Sequence, residues 1–419
     1  KDMHIYFSGI GGVGLGPLAE IASDAGYDVA GSDKSISLMT DELQARGITV
    51  RFDQSGNALD AIHAQKPIEW FVYSSALSPT HPELVKAREL GLKVTKRDEF
   101  LAWFIQEKKL QLIAVAGTHG KTTTTAMMVW ALQQLGVATS YSIGTQISFG
   151  PSGKYDRSGQ YFVYECDEFD RNFLHFFFNA TLLTSYDYDH PDTYPTPSEY
   201  RDAFRQFILQ SQWVTAREED IYTLYGDSKR PACVQGNLDP EIPITLAGAH
   251  NRHNASLVVS ALSHLLAAET PAIVGALNLF PGTARRFEKL AENLYSDYAH
   301  HPTEISATIQ MALEINPEVM VVYQPHQNSR QHAIRKLYSD CFKNARRIYW
   351  LPTHLSREDS QLEILSSFEL SKNIEHPPVV ISEMNDALWQ QINQERSQGT
   401  LIVGMGAGDI DTWLRRQLG

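Results

Sequence analysis

Short apolar stretches alternate with amphipathic segments of helix length along most of the chain. In the first third, the apolar stretches cover His4 to Phe7, Asp28 to Ala30, Trp70 to Tyr73 and Leu110 to Val115. Short apolar runs between helical patterns are typical of strands that are buried on both faces of a parallel sheet. The alternation therefore predicts an α/β fold built on parallel sheets.

Turn-rich segments divide this pattern into three blocks. The second block begins at the Leu110 strand, passes a turn-rich stretch at 150–160, and ends in a helix before Phe280-Pro281-Gly282. After that point strands and helices alternate again. The candidate strands of the last block are Val319 to Tyr323, Arg347 to Leu351, Val379 to Ser382 and Leu401 to Gly404. The pattern predicts three α/β domains, over residues 1–107, 108–286 and 287–419.

Composition narrows the class of protein. The 419 residues are 43% hydrophobic, which is enough for several buried cores. No apolar run approaches the roughly 18 to 20 residues of a membrane helix, and the N-terminus lacks a signal pattern, so we expect a cytoplasmic protein without integral membrane contact. Cys166, Cys233 and Cys341 are far apart, which favours neither a disulfide framework nor a zinc cluster. A formal net charge of -13 argues against nucleic acid as a partner.

A glycine-rich turn follows the first predicted strand. Gly9 to Gly14 reads Gly-Ile-Gly-Gly-Val-Gly, and Asp33 ends the next strand. This is the pattern of a dinucleotide-binding turn, in which N–H groups at a helix N-terminus point at a diphosphate. We interpret it as a diphosphate site, with a plain strand-to-helix turn as the alternative. Ser74 to Ala76 would lie at the same sheet edge, either as ligand contacts or as a simple turn.

A second phosphate-binding loop follows the Leu110 strand. Residues 116 to 123 read Ala-Gly-Thr-His-Gly-Lys-Thr-Thr and precede a helix, so backbone N–H groups, the Lys121 ammonium and the Thr122 hydroxyl converge. Val115 stands where the Walker pattern has glycine, so the loop is a variant of that pattern. The sequence nevertheless predicts a nucleotide-triphosphate site that works with Mg²⁺.

Acidic residues at two later strand ends are candidate metal ligands. Glu165 follows the strand Tyr161 to Tyr164, while Asp187, Asp189 and His190 follow the apolar segment Ala180 to Leu183. Hard oxygen ligands are those that Mg²⁺ prefers. A solvated acidic face is the alternative, and among these residues Glu165 and His190 are the preferred ligands.

The motifs resemble, in the same serial order, those of the Mur ligases over essentially the whole chain. Besides both glycine loops, the matching segments are Gly31 to Asp33, Glu165 to Asp170, Asp189-His190, Asp192 to Tyr194, Gly248 to Asn254, Gly282 to Phe287, Asp297 to Glu304 and Gln324 to His326. The resemblance implies a Rossmann-like N-terminal domain for a UDP-sugar, a central P-loop ATPase, and a Rossmann-like C-terminal domain that closes over an amino acid. It also implies ATP and Mg²⁺ as cofactors, UDP-N-acetylmuramate and a small amino acid, with L-alanine as the expected one, as partners, and an acyl-phosphate intermediate.

The resemblance also implies roles for individual residues. The expected ATP contacts are Gly117, Thr118, His119, Gly120, Lys121, Thr122, Thr123, His250, Asn251, Asn254, Arg286 and Asp297. The expected UDP-sugar contacts are Gly11, Gly12, Val13, Gly14, Ser32, Asp33, Ser74, Ser75, Ala76, Tyr298 and His300. The expected metal ligands are Thr122, Glu165 and His190. The expected catalytic residues are Lys121, His190, His326 and Arg330, and the general base is either His190 or His326.

Because of three departures from the family pattern, the sequence does not decide the identity of the amine substrate. Gln327 replaces the arginine expected after Gln-Pro-His, Ser185 replaces an asparagine, and the chain is shortened between Tyr222 and Ile242. One alternative is the recycling ligase that adds a preformed tripeptide to the same UDP-sugar. An NAD-dependent dehydrogenase and a non-catalytic relic are more remote alternatives. We expect a monomer or a weak homodimer.

Overall fold

The computed structural model describes residues 3–167, 176–189, 193–236 and 242–419. Three sheets follow one another along the chain, and helices connect most of their strands. Most paired strands are parallel, as the alternating pattern predicts. The α/β fold class is therefore confirmed.

The first sheet is parallel and has the strand order β3-β2-β1-β4-β5. Its strands are β1 (His4–Ser8), β2 (Asp28–Ser32), β3 (Thr49–Arg51), β4 (Trp70–Tyr73) and β5 (Lys93–Lys96). Its helices are α1 (Gly16–Asp24), α2 (Leu38–Ala45), α3 (Asn57–Gln65), α4 (Pro82–Glu89) and α5 (Arg97–Lys108). The central strand β1 is buried throughout, which explains its run of apolar residues.

The second sheet has the order β12-β11-β10-β6-β9-β7-β8, and only the pairing of β8 with β7 is antiparallel among its described pairs. Its strands are β6 (Gln111–Ala116), β7 (Thr139–Ser142), β8 (Gly153–Lys154), β9 (Tyr161–Glu165), β10 (Ala180–Leu183), β11 (Val214–Ala216) and β12 (Val234–Gly236). Its helices are α6 (Lys121–Gln134), α7 (Pro197–Leu209), α8 (Glu218–Tyr225), α9 (Ala249–Leu265) and α10 (Thr270–Leu277). The central position of β6 places the loop that follows it in the middle of the sheet edge.

The third sheet has the order β13-β14-β18-β15-β16-β17, with β13 antiparallel to β14. Its strands are β13 (Glu288–Ala291), β14 (Leu294–Asp297), β15 (Val319–Tyr323), β16 (Arg347–Trp350), β17 (Val379–Ile381) and β18 (Leu401–Met405). Its helices are α11 (Pro302–Ile315), α12 (Asn328–Ile334), α13 (Tyr338–Cys341), α14 (Ser367–Ser371), α15 (Asp386–Ser397) and α16 (Ile410–Leu418), and Arg335–Leu337 is a 3-10 turn.

The described chain forms two compact units. One contains the first two sheets, and the other contains residues 245–253 and 282–419 with the third sheet. In the first unit, Glu20 of α1 accepts a hydrogen bond from the Gly153 amide at 3.1 Å, and Asp24 accepts one from the Tyr155 amide at 3.0 Å. The Phe104 ring also packs edge-on against Tyr155, with centroids 5.3 Å apart. These contacts fix the first sheet against the edge strand β8.

The predicted strands agree with the described ones to within two residues at each end. The helix predicted to end before Phe280 ends at Leu277. The boundaries predicted at 107/108 and 286/287 stay predictions. Within the described residues, no helix is both long enough and apolar enough to cross a bilayer.

Candidate active site

The loop between β6 and α6 has the backbone of a phosphate cradle. Gly117 has φ 143° and Gly120 has φ 84°, conformations that side chains rarely adopt. Helix α6 begins at Lys121, so its first N–H groups, which have no partner within the helix, face the loop. The Asn254 side chain lies 3.1 Å from the position that a Cβ on Gly120 would take. The described geometry thus suits an anion at the N-terminus of α6.

Residues after β10 hold this loop in place. The Ser185 hydroxyl accepts a hydrogen bond from the His119 amide at 2.8 Å and donates one to the His119 carbonyl at 3.0 Å. The Thr118 hydroxyl donates to the Asp187 carbonyl at 2.7 Å and lies 2.9 Å from the Tyr200 hydroxyl. Ser185 therefore supports the loop even though the family pattern has asparagine at this position.

Thr122 and Glu165 form a hydrogen-bonded pair of oxygen-bearing side chains beside the loop. The Thr122 hydroxyl donates a hydrogen bond to Oε1 of Glu165 at 2.6 Å, and Oε2 accepts one from the Gly144 amide at 2.7 Å. The carboxylate is thus oriented from both sides. A hydroxyl and a carboxylate at the start of a phosphate-binding helix are the donor set that Mg²⁺ takes, so these residues fit the ion.

Asp167 links the two glycine loops within the first unit. Its Oδ1 lies 3.9 Å from the Lys121 ammonium, and its Oδ2 lies 3.8 Å from the guanidinium of Arg97, which belongs to α5. A Cβ on Gly14 would collide with the same guanidinium. Arg97 thus lies between the first glycine turn and Asp167. No motif in the sequence marks Arg97 as a site residue.

The first glycine turn and the ends of β2 and β4 meet as predicted. The Gly11 amide donates a hydrogen bond to Oδ2 of Asp33 at 2.8 Å. Ser74 Oγ lies 3.6 Å from the position that a Cβ on Gly9 would take. Gly12 and Val13 are exposed, and Gly14 is half-buried. The turn is therefore open to a ligand at the edge where these strands end.

A buried carboxylate beneath this edge organises the ends of β1 and β2. Glu83 of α4 is fully buried and accepts hydrogen bonds from the Tyr6 hydroxyl at 2.6 Å and the Ser8 hydroxyl at 2.7 Å. The Ser32 hydroxyl also donates to Glu83. The three hydroxyls satisfy the hydrogen-bonding oxygens of this buried side chain. Ser32, predicted as a UDP-sugar contact, therefore points its hydroxyl at Glu83 in this structure.

Aromatic and imidazole rings cluster at the edge of the third sheet. The Tyr298 and His300 rings have centroids 5.4 Å apart, and those of His300 and His326 are 6.0 Å apart. Burial first, and the neighbouring His300 second, lower the pKa of His326 to about 3. His326 is therefore a neutral imidazole near pH 7, while Arg330 on α12 supplies positive charge nearby.

The remaining residues predicted to bind ATP in the second unit are held by local contacts. Asp297 accepts hydrogen bonds from the Phe287 and Ala299 amides at 2.8 and 2.9 Å, and burial raises its pKa. The Arg286 guanidinium lies 4.7 Å from the Tyr298 ring centroid.

Two further residues predicted to bind ATP lie near the start of α9. Burial lowers the pKa of His250 to about 4, and its Nδ1 has no hydrogen-bond partner among the described residues. Asn251 donates to the Ala247 carbonyl at 3.0 Å.

The structure therefore assembles three groups of predicted residues. The first glycine turn lies with Asp33 and Ser74, the Lys121 loop lies with Glu165 and Asn254, and His300 lies with His326. His190, predicted as a metal ligand and as a possible base, lies outside the described residues.

Known proteins are similar to this chain in sequence and in fold. Sequence models of the Mur ligase catalytic domain, the Mur ligase middle domain and the Mur ligase glutamate ligase domain match residues 4–109, 115–216 and 285–408. A protein named UDP-N-acetylmuramate--L-alanine ligase from Synechococcus sp. (strain JA-3-3Ab) is 33% identical over 439 residues, covering 97% of this chain and 84% of the relative.

Two solved structures resemble the whole chain. UDP-N-acetylmuramate-alanine ligase from Thermotoga maritima has a TM-score of 0.78 at 25% identity and covers 99% of this chain and 98% of its own. A murein peptide ligase from Psychrobacter arcticus has a TM-score of 0.67 at 22% identity, with 99% and 98% coverage, and shows the fold alone.

Fold and loops together define an α/β protein with a glycine-lysine-threonine loop at a helix N-terminus on its second sheet and a glycine-rich strand-to-helix turn on its first. The sequence matches, which extend over nearly the whole length of the chain, identify its family. The chain belongs to the Mur ligase family, as the order of its motifs predicts.

Proposed function

We propose that the protein is a cytoplasmic, ATP-dependent and ADP-forming ligase in peptidoglycan precursor synthesis. It joins the amine of L-alanine to the lactyl carboxylate of UDP-N-acetylmuramate through an acyl-phosphate. The observation that carries this proposal is the Lys121 loop, in which a lysine, a threonine and an oriented carboxylate converge at a helix N-terminus. The relative from Synechococcus, which bears the name of this activity, supports it.

The Lys121 loop binds the phosphates of ATP in this proposal. Residues Gly117 to Thr123 surround the phosphates with N–H groups, and the Lys121 ammonium stabilises the charge on the transferring phosphoryl group. Thr122 and Glu165 would hold Mg²⁺, and His190 is a further proposed ligand. The bound ion neutralises phosphate charge. His250, Asn251, Asn254, Arg286 and Asp297 complete the proposed nucleotide contacts.

The first sheet binds the UDP-sugar in this proposal. Gly11 to Gly14 approach the diphosphate with backbone N–H groups, because the missing side chains leave the turn open. Asp33 and Ser74 to Ala76 line the same edge, and Arg97 adds a cation beneath Gly14. A guanidinium in that place suits an anionic ligand better than an ammonium does, because it offers several donors in one plane.

The third sheet binds the amino acid in this proposal. Arg330 pairs with its carboxylate, since a guanidinium can bind both oxygens at once. Tyr298, His300 and the neutral His326 position the reacting groups. Each sheet would then define one domain, with the boundaries at 107/108 and 286/287.

The experiment supplies the full chain with ATP, Mg²⁺ and UDP-N-acetylmuramate and tests amines separately. We expect phosphate release with L-alanine, and a product whose mass shows one added alanine. Glycine should react more slowly, because a missing methyl group changes discrimination by about 10- to 200-fold, and L-serine should react more slowly because an added hydroxyl is rejected by about 10²-fold. Turnover with the tripeptide alone would instead establish the recycling ligase, and protection by nicotinamide cofactors would favour a dehydrogenase. No turnover with any amine would contradict the proposal.

A further inference from the structure

Polar side chains follow four neighbouring strands of the third sheet. His300 follows β14, Asp409 follows β18, His326 follows β15 and His354 follows β16. Ligands of open α/β sheets bind at the carboxyl ends of parallel strands, where these side chains lie. Neither His354 nor Asp409 has a role in the proposed ligase function.

His354 is held in a fixed orientation beside His326. The two rings are stacked with centroids 5.4 Å apart and an interplanar angle of 6°. The His354 amide donates to the Pro325 carbonyl at 2.8 Å, and the Gln327 amide donates to the His354 carbonyl at 2.8 Å. Nδ1 of His354 lies 3.0 Å from Oδ2 of Asp409. A carboxylate on Nδ1 fixes the tautomer, so Nε2 is the nitrogen that can accept a proton.

The carboxylate of Asp409 contacts the His354 imidazole and does not cap α16, the helix that begins after Asp409. Asp409 is the N-cap of α16, but its side chain makes no capping hydrogen bond. Aspartate at this position usually caps the helix with its side chain.

The backbone around Asp409 is held by the rest of the sheet edge. Arg285 donates to the Gly406 and Gly408 carbonyls at 3.0 and 3.1 Å. Gly408 also leaves room for the imidazole, because a Cβ there would lie 2.5 Å from Cγ of His354. The loop therefore presents Asp409 to His354 in one arrangement.

The neighbouring histidines are less suited to accept a proton. His326, with its pKa lowered to about 3 by burial, is a weak base. Nδ1 of His300 donates to the Tyr298 carbonyl at 3.0 Å and lies 3.3 Å from Glu304. His354, by contrast, is 28% exposed at its side chain and is paired with an exposed carboxylate.

We propose that His354, oriented by Asp409, accepts a proton from the ammonium group of the incoming amino acid. The inference rests on the ligase function proposed above. The ammonium loses one proton to Nε2 of His354, and the freed lone pair forms the C–N bond at the acyl-phosphate carbonyl. The C–O bond to phosphate then breaks with its electron pair leaving on phosphate, which takes the second proton from nitrogen. The charged groups around the stacked imidazoles are Asp409, Arg285 and Arg330, and Glu304 faces His300.

The test compares two nucleophiles in the full-length His354→Gln variant, with ATP, Mg²⁺ and UDP-N-acetylmuramate at saturation. With L-alanine near pH 7, we expect kcat to fall by about 100-fold, the lower end of what a general base contributes. The residual rate should rise by about tenfold per pH unit, since it then follows the fraction of unprotonated amine. Hydroxylamine is largely unprotonated at neutral pH and needs no base, so hydroxamate should form at the wild-type rate.

Further variants separate this role from a structural one. Asp409→Asn should show a smaller loss with L-alanine and the same unchanged hydroxamate formation. His332→Gln is the matched control, because this histidine of α12 bonds to the Glu363 carbonyl at 2.7 Å and should retain both rates.

Three results would overturn the inference. The first is an equal loss of rate with both nucleophiles in His354→Gln, and the second is an unchanged rate with L-alanine in that variant. The third is a His300→Gln variant that itself loses the rate with L-alanine and keeps hydroxamate formation. Absence of both products in the wild-type protein would contradict the ligase function itself.

Discussion

Lys121→Ala should lower turnover by about 10³-fold, while the affinity for UDP-N-acetylmuramate stays within about twofold of wild type. The ammonium group begins α6 and lies 3.9 Å from Asp167. Removing one preorganised charge that stabilises the transition state costs about 10²–10³ in kcat, and the transferred phosphoryl group carries more charge than an ordinary oxyanion. The UDP-sugar is expected to bind at the first sheet, which does not include Lys121.

The measurement combines kcat from phosphate release with UDP-sugar binding by calorimetry. Lys343→Ala serves as the control, because Lys343 is exposed and lies in the third-sheet unit. Wild-type turnover in Lys121→Ala would contradict a mechanism in which Lys121 stabilises the transferring phosphoryl group. Loss of UDP-sugar binding together with turnover would show that the two loops act as one site.

Glu165→Gln should lower kcat by about 10²-fold and raise the Mg²⁺ concentration for half-maximal activity by about tenfold, since a neutral amide replaces a hard anionic ligand. The carboxylate is fixed by the Thr122 hydroxyl and the Gly144 amide. A glutamine has the same size, so the fold should persist.

Titration of Mg²⁺ at fixed ATP provides the measurement. The matched control is Glu199→Gln, because glutamine can replace glutamate in the capping box that begins α7. An unchanged Mg²⁺ requirement in Glu165→Gln would place the metal elsewhere. A lost thermal transition in the same variant would instead indicate a structural role for Glu165.

Local patterns in the sequence predict the strands that are continuously apolar, but not the buried strands Thr139–Ser142 and Val214–Ala216, which contain polar residues. Strands such as Trp70–Tyr73 and Val319–Tyr323 are buried on both faces, so their apolar runs are continuous. The short edge strands Gly153–Lys154 and Glu288–Ala291 escaped prediction, because strands that are only partly buried lack such runs. Their antiparallel pairing also depends on partners that a local pattern does not specify.

The two glycine-rich strand-to-helix turns were predictable because their signal is local in sequence. Each consists of consecutive residues in which glycines shape a strand-to-helix turn, and in the second loop Lys121 and Thr122 follow directly after the last glycine. Arg97 and the His354–Asp409 pair were not predictable, since their roles depend on contacts between residues far apart in sequence. The role of Ser185 was predictable only in part. The sequence shows that Ser185 departs from the family pattern, but only the structure shows its two hydrogen bonds to His119.

Isotope transfer tests the central claim most directly. UDP-N-acetylmuramate labelled with oxygen-18 in both carboxylate oxygens is converted with ATP, Mg²⁺ and L-alanine, and the released phosphate is analysed by mass. An acyl-phosphate intermediate requires one carboxylate oxygen to leave with phosphate, so we expect one labelled oxygen in the phosphate and one in the amide. Unlabelled phosphate alongside amide product would contradict activation of the carboxylate by phosphoryl transfer.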